Sequence, residues 1–438
     1  MKKILLLAAV LALSGACHRA KDTALVNPRD HVAWSRNATI YEVNIRQFTP
    51  EGTFVALEKE LPRLQKMGVD ILWLMPINPL GEKNRKGSLG SYYSVKDYLA
   101  VNPEYGSQAD LVSLVKKAHE LGMKVIIDWV ANHTSWDNKL IDKHPEWYEH
   151  DSVTGKIIAP VPDWTDVASL DYNRKELWDY MTDAMVYWIK KADVDGYRCD
   201  VAGMLPVGFW NQAIPKLKEV KPVFMLAEAE TPGIHDTGYF DATYSWGMYQ
   251  MFSAIAARKK SADKIDSLFA SERKSYSPDA YRMRFTTNHD ENSWNGTEFE
   301  RLGAGARAFS VFTFTFPGIP MIYNGQESAM NKRLRFFDKD TIPWGDYPLE
   351  SFYTTLMQLK KKNDLIASGD SGGRFIKVAT GNDKAVYAFL RQKDSRRLLV
   401  ILNFSETDQA VNLKGNDFKG KYKEIFTGQE KEFKPGDN

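Results

Sequence analysis

The chain has 438 residues, of which 43% are hydrophobic, 12% aromatic and 26% charged. That is an ordinary globular composition with room for two or three domains. A net charge of only +2, with no basic run, excludes an electrostatic footprint for nucleic acid.

The N-terminus reads first. Lys2 and Lys3 precede the apolar run ILLLAAVLALSGA, which ends at Cys17. A basic start, an apolar stretch short of a bilayer span and small residues before a cut point make residues 1–16 a secretory signal. Ser14-Gly15-Ala16-Cys17 resembles the lipobox of bacterial lipoproteins. That implies cleavage before Cys17 and a lipid on its sulfur. The protein would then be secreted across the inner membrane and lipid-anchored in the outer membrane, on a periplasmic or cell-surface face. The plainer alternative is a signal peptide with an incidental cysteine. No other segment is apolar for long enough to be a transmembrane helix. Residues 17–36 are polar and aperiodic and read as a tether.

A repeating grammar follows. TIYEVNI (39–45) is a first strand, and Phe54, Leu57, Leu61, Leu64 and Met67 mark one face of a helix that Gly68 ends. VDILWLM (69–75) is a second strand. Ser107, with Asp110 three residues on, caps a helix whose buried stripe is Leu111, Leu114, Val115, Ala118 and Leu121. Gly122 stops it, and MKVIIDWV (123–130) is the third strand. Asn173, partnered by Glu176, is expected to open a helix through Leu177, Met181, Met185, Trp188 and Ile189, leading to VDGYRCD (194–200). Further strands are expected at 222–228, 240–244, 282–288 and 320–325.

Helix, glycine, apolar strand, polar strand end is the pattern of parallel strands buried on both faces. Eight such strands predict an α/β chain built as a (β/α)8 barrel over residues 37–364. The span exceeds the roughly 250 residues typical of that fold. Part of the surplus is 134–172, rich in Trp, Pro, Asp and His and without a clean period, which reads as a small lobe over the barrel mouth. From 365 to 438 the helices stop. FIKVA, AVYAFLRQ, RRLLVILNFS, QAVNL and YKEIF predict a C-terminal antiparallel β-sandwich.

Barrel chemistry sits at the carboxyl ends of the strands. There the chain places Asp128, Asn132 and His133 after the third strand, Arg198 and Asp200 after the fourth, Glu228 after the fifth, and Asn288, His289 and Asp290 after the seventh. Arg198 and Asp200 interrupt an otherwise apolar strand, where unpaired charges would cost several kcal/mol each (roughly). They share one strand face. Cys199 points to the other, into packing, and with Cys17 lipidated it has no disulfide partner. Clustered carboxylates raise one another's pKa, so one can stay protonated while another is ionised. Asp200, held ionised by Arg198, would be a nucleophile. Glu228, desolvated behind FMLA, would be a protonated acid, and Asp290 would favour a positively charged transition state. That combination suits cleavage of a glycosidic bond through a covalent glycosyl-enzyme intermediate. Taken singly, Arg-x-Asp is an ion pair, Glu228 a solvated strand end, and the histidines ordinary hydrogen-bonded residues. Asn132-His133 alone is a weak metal signal. Only the joint placement at successive strand ends points to a site.

With these residues in place, the chain resembles the alpha-amylase family of glycoside hydrolases (glycoside hydrolase family 13). DWVANHTS (128–135), DGYRCDVA (195–202), FMLAEAE (224–230) and FTTNHDEN (285–292) look like its four signatures, in order. GSYYSVKDYLAVNPEYGS (90–107), GIPMIYNGQE (318–327) and LMQLKKKNDLI (356–366) are similar as well. The resemblance implies Asp200 as nucleophile, Glu228 as acid/base and Asp290 gripping sugar hydroxyls. It implies that Arg198 holds the nucleophile, His133 and His289 bond to hydroxyls, Tyr93 offers a stacking face and Asp128 supports the site from below.

Two departures matter. Where many relatives carry Lys-His, this chain has Gly203-Met204, which puts the usual calcium site and the leaving-side specificity in doubt, although Asn132 is present. The lobe 134–172 is short for the family, which implies a more open cleft. The expected substrate is starch, glycogen or malto-oligosaccharides. A 4-alpha-glucanotransferase would use the same intermediate and is told apart by longer products from maltotriose. A glucan-binding relative without catalysis is the third reading, and the presence of all three carboxylates argues against it.

Overall fold

The computed structural model describes residues 31–236 and 238–434. The expected signal segment, Cys17 and the tether up to residue 30 lie outside the described residues. From His31 onward the stretch expected as tether is folded. His31 stacks on Tyr281 with ring centroids 4.0 Å apart, and its Nδ1 lies 2.9 Å from Asp241 Oδ1. Its partners come from far along the chain, so a polar, aperiodic segment gave no sign of docking.

Eight parallel strands close a barrel in chain order. They are β1 (Ile40–Val43), β2 (Ile71–Leu74), β3 (Lys124–Trp129), β4 (Gly196–Cys199), β5 (Phe224–Ala227), β6 (Ala242–Tyr244), β7 (Tyr281–Arg284) and β8 (Ile319–Tyr323). Six fall within the runs that predicted them, and β7 and β8 overlap theirs but begin one residue earlier, at Tyr281 and Ile319. Ile40, Ile71, Trp73, Ile126, Phe224, Leu226, Met283 and Met321 belong to one buried cluster of strand residues. A larger cluster joins the other face of strands β1 to β5 to the surrounding helices, and Tyr197 and Cys199 are in it. At the entry to β4 the two backbones nearly touch. Gly196 has φ +150°, and a Cβ there would lie 1.9 Å from the Phe224 carbonyl oxygen.

The helices follow their caps. Thr53 caps Phe54–Met67, and Gly68 ends it at φ +112°. Ser107 and Asp110 form the expected capping box before Gln108–Glu120. The third expected start differs. Helix Lys175–Ala192 begins after Arg174, which makes no side-chain cap, and the Asn173 amide donates instead to Asp171 Oδ1 at 2.8 Å. The nearby aspartate competes successfully for the asparagine.

Residues after β3 form the expected small lobe. It holds a hairpin of His133–Ser135 with Val167–Ser169 and a short helix Lys139–Lys143. The C-terminal region is antiparallel, with β9 (Arg374–Val378), β10 (Val386–Lys393) and β11 (Arg396–Asn403) in one sheet and β12 (Gly420–Lys423) and β13 (Glu430–Phe433) in another. QAVNL is irregular rather than a strand, with one bridge nearby between Ala379 and Lys414. Strand β13 escaped the sequence reading because EKEF is charged and mostly exposed, without an apolar alternation. Phe252, Phe309, Phe312 and Phe316 of the barrel region pack against Tyr387, Phe389, Val400 and Leu402 of this sheet. Among the described residues no helix is long and apolar enough to cross a membrane.

Candidate active site

One guanidinium organises the barrel mouth. Arg198, near the end of β4, is fully buried. Its Nη1 donates to Asp128 Oδ1 at 2.8 Å, to Asp128 Oδ2 at 3.0 Å and to Asp200 Oδ1 at 3.0 Å. Its Nη2 lies 2.7 Å from Glu228 Oε2, an ion contact too oblique to count as a hydrogen bond. Thus the carboxylates that end β3, β4 and β5 meet on one cation, as their strand registers dictate: Asp128 is opposite Arg198, and Cys199 is opposite Ala227. Trp73, Tyr93 and Tyr244 surround the guanidinium carbon at 5.1, 5.7 and 5.7 Å from their ring centroids. Trp73 also donates its indole N–H to Asp128 Oδ2 at 3.2 Å.

The residue after Asp200 is strained. Val201 sits at φ +36°, ψ +42°, a left-handed conformation that a β-branched side chain resists. There its backbone N–H donates to Glu228 Oε2 at 2.8 Å. Both contacts of Glu228 fall on Oε2, and among the described residues nothing bonds to Oε1. Glu228, expected to sit desolvated behind FMLA, instead lies against a cation. It shares Arg198 with two other acids.

His289 links the cup to β1. Its Nδ1 contacts Glu42, its Nε2 lies 2.7 Å from the Tyr93 hydroxyl and 3.3 Å from Asp290 Oδ2, and Tyr93 donates to Asp128 Oδ2 at 3.2 Å. Burial pulls the His289 pKa down, but Asp290 and Glu42 outweigh it and raise it to about 9. The ring is a second cation at neutral pH. His133 goes the other way, since burial lowers it to about 4 and leaves it neutral. Because the folded pKa of His289 is raised, its contribution to stability is complete below about pH 6.5 and is lost as pH rises through about 9. Chemical denaturation across that window is expected to show a decline of up to about 3 kcal/mol that His289→Gln lacks. Parallel curves for the two proteins would refute the assignment.

Five buried or partly buried carboxyls (Glu42, Asp128, Asp200, Glu228 and Asp290) face two cations, Arg198 and His289. Full ionisation would leave a net charge of −3 in a poorly solvated cup, so the cluster retains protons. Burial raises Asp200 well above the ordinary aspartate range; Arg198 opposes the shift, while Glu228, Asp128 and Asp290 add to it, so Arg198 alone does not hold Asp200 ionised as expected. A cup that stores a proton beside ionised carboxylates can act as both acid and base.

A cavity of about 590 Å³ opens above these groups, and Tyr93, His133, Asp200, Glu228 and Asp290 all line it. Arg198, Asp128 and His289 lie in the floor beneath. Thus the structure brings together all eight residues expected from the sequence. The Tyr93 ring is not a free face, since it stacks on His289 at 5.4 Å and Phe336 at 6.4 Å. The walls add residues that the sequence did not single out: Trp164 and Asp166 from the lobe, Trp294, Phe336 and Phe337 from the loops after β7 and β8, and Lys86. Lys86 bridges to Asp166 at 3.1 Å. Glu42, Trp73 and Tyr244 were missed too. Glu42 alone carried a usable signal, a charge amid the apolar β1.

A hard cation such as calcium takes several oxygen ligands, carboxylates above all. The Asn132 amide instead lies 3.3 Å from His133 Nδ1, and among the described residues no three His, Cys, Asp or Glu side chains form a metal-holding group. No step below uses a calcium ion.

Comparison with known proteins bears on this geometry. The family model described as "Alpha amylase, catalytic domain" matches residues 29–154 and 162–393, and "Alpha amylase, C-terminal all-beta domain" matches 378–437. A maltogenic alpha-amylase of Thermotoga neapolitana has a similar structure, with 33% identity, a TM-score of 0.84, and coverage of 91% of this chain and 94% of that one. An alpha-amylase of Lactobacillus plantarum is similar at 32% identity and TM-score 0.82, covering 92% and 96%. An alpha-amylase of Haloarcula japonica is 27% identical over 88% of this chain, which spans only 58% of that relative's length.

Proposed function

The chain belongs to the alpha-amylase family, and on that premise we propose that it cleaves α-glucosidic bonds of starch, glycogen or malto-oligosaccharides with retention of configuration. In the reactive form the cup's proton sits on Glu228 and Asp200 is ionised: Asp200 attacks the anomeric carbon as Glu228 gives that proton to the departing glycosidic oxygen. A glycosyl ester of Asp200 forms. Glu228, now ionised, takes a proton from water, which attacks the same carbon and frees Asp200. Between these steps the ring passes through an oxocarbenium-like state, and Asp290 and the ionised members of the cup stabilise its positive charge. Arg198 keeps Asp200 and Asp128 oriented, His289 steadies Tyr93 and Asp290 from the floor, and His133, which lines the cavity, offers a neutral polar edge to sugar hydroxyls. The aromatic walls suit the C–H faces of glucose.

The observation that carries this reading is the bonding of Asp200 and contact of Glu228 with the two ends of one guanidinium. Such sharing favours the short carboxyl spacing of double displacement (about 5–5.5 Å) over the roughly 6.5–9.5 Å that leaves room for water in inverting enzymes. Proton NMR of the first product released from a maltooligosaccharide tests it. The α-anomer is expected to appear first and then mutarotate. An initial β-anomer would overturn the retaining mechanism.

A further inference from the structure

A second cavity, about 340 Å³, lies where β7 meets the C-terminal sheet and shares no lining residue with the carboxylate cup. Five arginines line it, Arg273, Arg282, Arg284, Arg374 and Arg391, against two acids, Glu272 and Asp370. Glu272 is already engaged, since both its oxygens accept from Arg284, at 2.8 and 2.6 Å. Arg282 reaches Glu230, and its buried Nε, 3.8 Å from Glu272 Oε1, has no hydrogen-bond partner among the described residues.

Arg391 is the least expected of the five. It is 2% exposed and donates only to backbone carbonyls, Gly373 at 3.0 Å and Thr315 at 3.2 Å. No carboxylate among the described residues lies within ion-pairing range of it. Burial alone lowers its pKa to about 10. The backbone makes way for it, because a Cβ on Gly372 would sit 2.5 Å from its Nη2. Behind the cavity wall at Gly318 lies the fully buried Lys360, whose Nζ donates to the Gly318 carbonyl at 3.1 Å and whose pKa burial pushes well below the ordinary lysine value. A buried charge needs a counter-charge, and here the chain supplies too few.

We propose that this cavity binds an oxyanion of the phosphate type, free or carried on a small metabolite. Guanidinium forks match such oxygens two at a time. The cavity's volume exceeds what a halide needs. The ligand ties Arg282 and Arg284 of the barrel to Arg374 and Arg391 of the C-terminal sheet, so binding opposes their separation during unfolding.

The test uses the full folded chain titrated with inorganic phosphate at fixed ionic strength, followed by isothermal titration and thermal unfolding. A saturable heat and a saturating Tm rise of about 2–5 °C are expected. Glucose 1-phosphate is run in parallel: tighter binding than inorganic phosphate assigns a sugar phosphate, and equal binding assigns the free ion. Arg273 and Arg374 stand at the exposed rim, so the double variant R273Q/R374Q should fold and keep its starch activity while binding phosphate at least about tenfold more weakly. No saturable binding by the parent, or equal binding by the variant, overturns the proposal. A Tm rise that never saturates and persists in the variant is salting-out and also overturns it.

Discussion

Glu228→Gln is expected to lower kcat on starch by about 10²–10⁴-fold while leaving malto-oligosaccharide affinity within a few-fold of the parent. Glutamine has the shape of glutamate, and its side-chain oxygen can still accept from the Val201 N–H that now bonds Glu228 Oε2. What it lacks is the proton. The deficit should therefore depend on the leaving group. A maltoside of an acidic phenol departs without protonation, so formation of the Asp200 ester stays fast and only water activation suffers. A variant that degrades starch at the parental rate would remove Glu228 from the chemistry. Parental inactivity on every glucan would instead support a binding protein.

Arg198→Met is expected to cost about 3–5 kcal/mol of stability, a large part of the margin of an ordinary domain. The methionine fills much of the space within the cage of Trp73, Tyr93 and Tyr244, but it leaves Asp128, Asp200 and Glu228 facing one another with no cation between them. Like charges a few ångströms apart in a dry floor must take up protons, and the cup then loses its ionised nucleophile. Arg198→Lys separates charge from geometry. It should restore part of the stability, read by chemical denaturation, and little of the turnover, because an ammonium cannot present the planar fork. A methionine variant as stable as the parent would show that the cluster protonates freely without Arg198.

Much of this site was legible in the sequence for a simple reason. A strand buried on both faces reads as an unbroken apolar run, so Asp128, Arg198 and Glu228 stand out where such runs are broken or end. The barrel closes those ends into one ring, and position along the chain becomes position in the cup. Trp73 and Tyr244 carry no such contrast. An aromatic residue inside a barrel strand looks the same whether it packs on leucine or cages a guanidinium. Trp164, Trp294 and Phe336 come from irregular segments, where no periodicity fixes direction. The capping of Lys175–Ala192 failed for a related reason, since local competition between Asp171 and the helix end for Asn173 is settled only in three dimensions. The charged strand β13 shows the converse limit, because an exposed edge needs no apolar pattern to pair.

The left-handed twist at Val201 has a bearing on any effort to make this molecule heat-resistant. A half-exposed valine at φ +36° is a place where Asn or Gly relieves about 1–3 kcal/mol of backbone strain, so screens that score survival after heating should enrich such replacements. Yet the same kink aims the amide that fixes the proposed proton donor, and a relaxed loop would let that carboxyl wander. Robust but sluggish clones are the expected harvest, and scoring residual turnover beside survival would expose the trade-off at this single position.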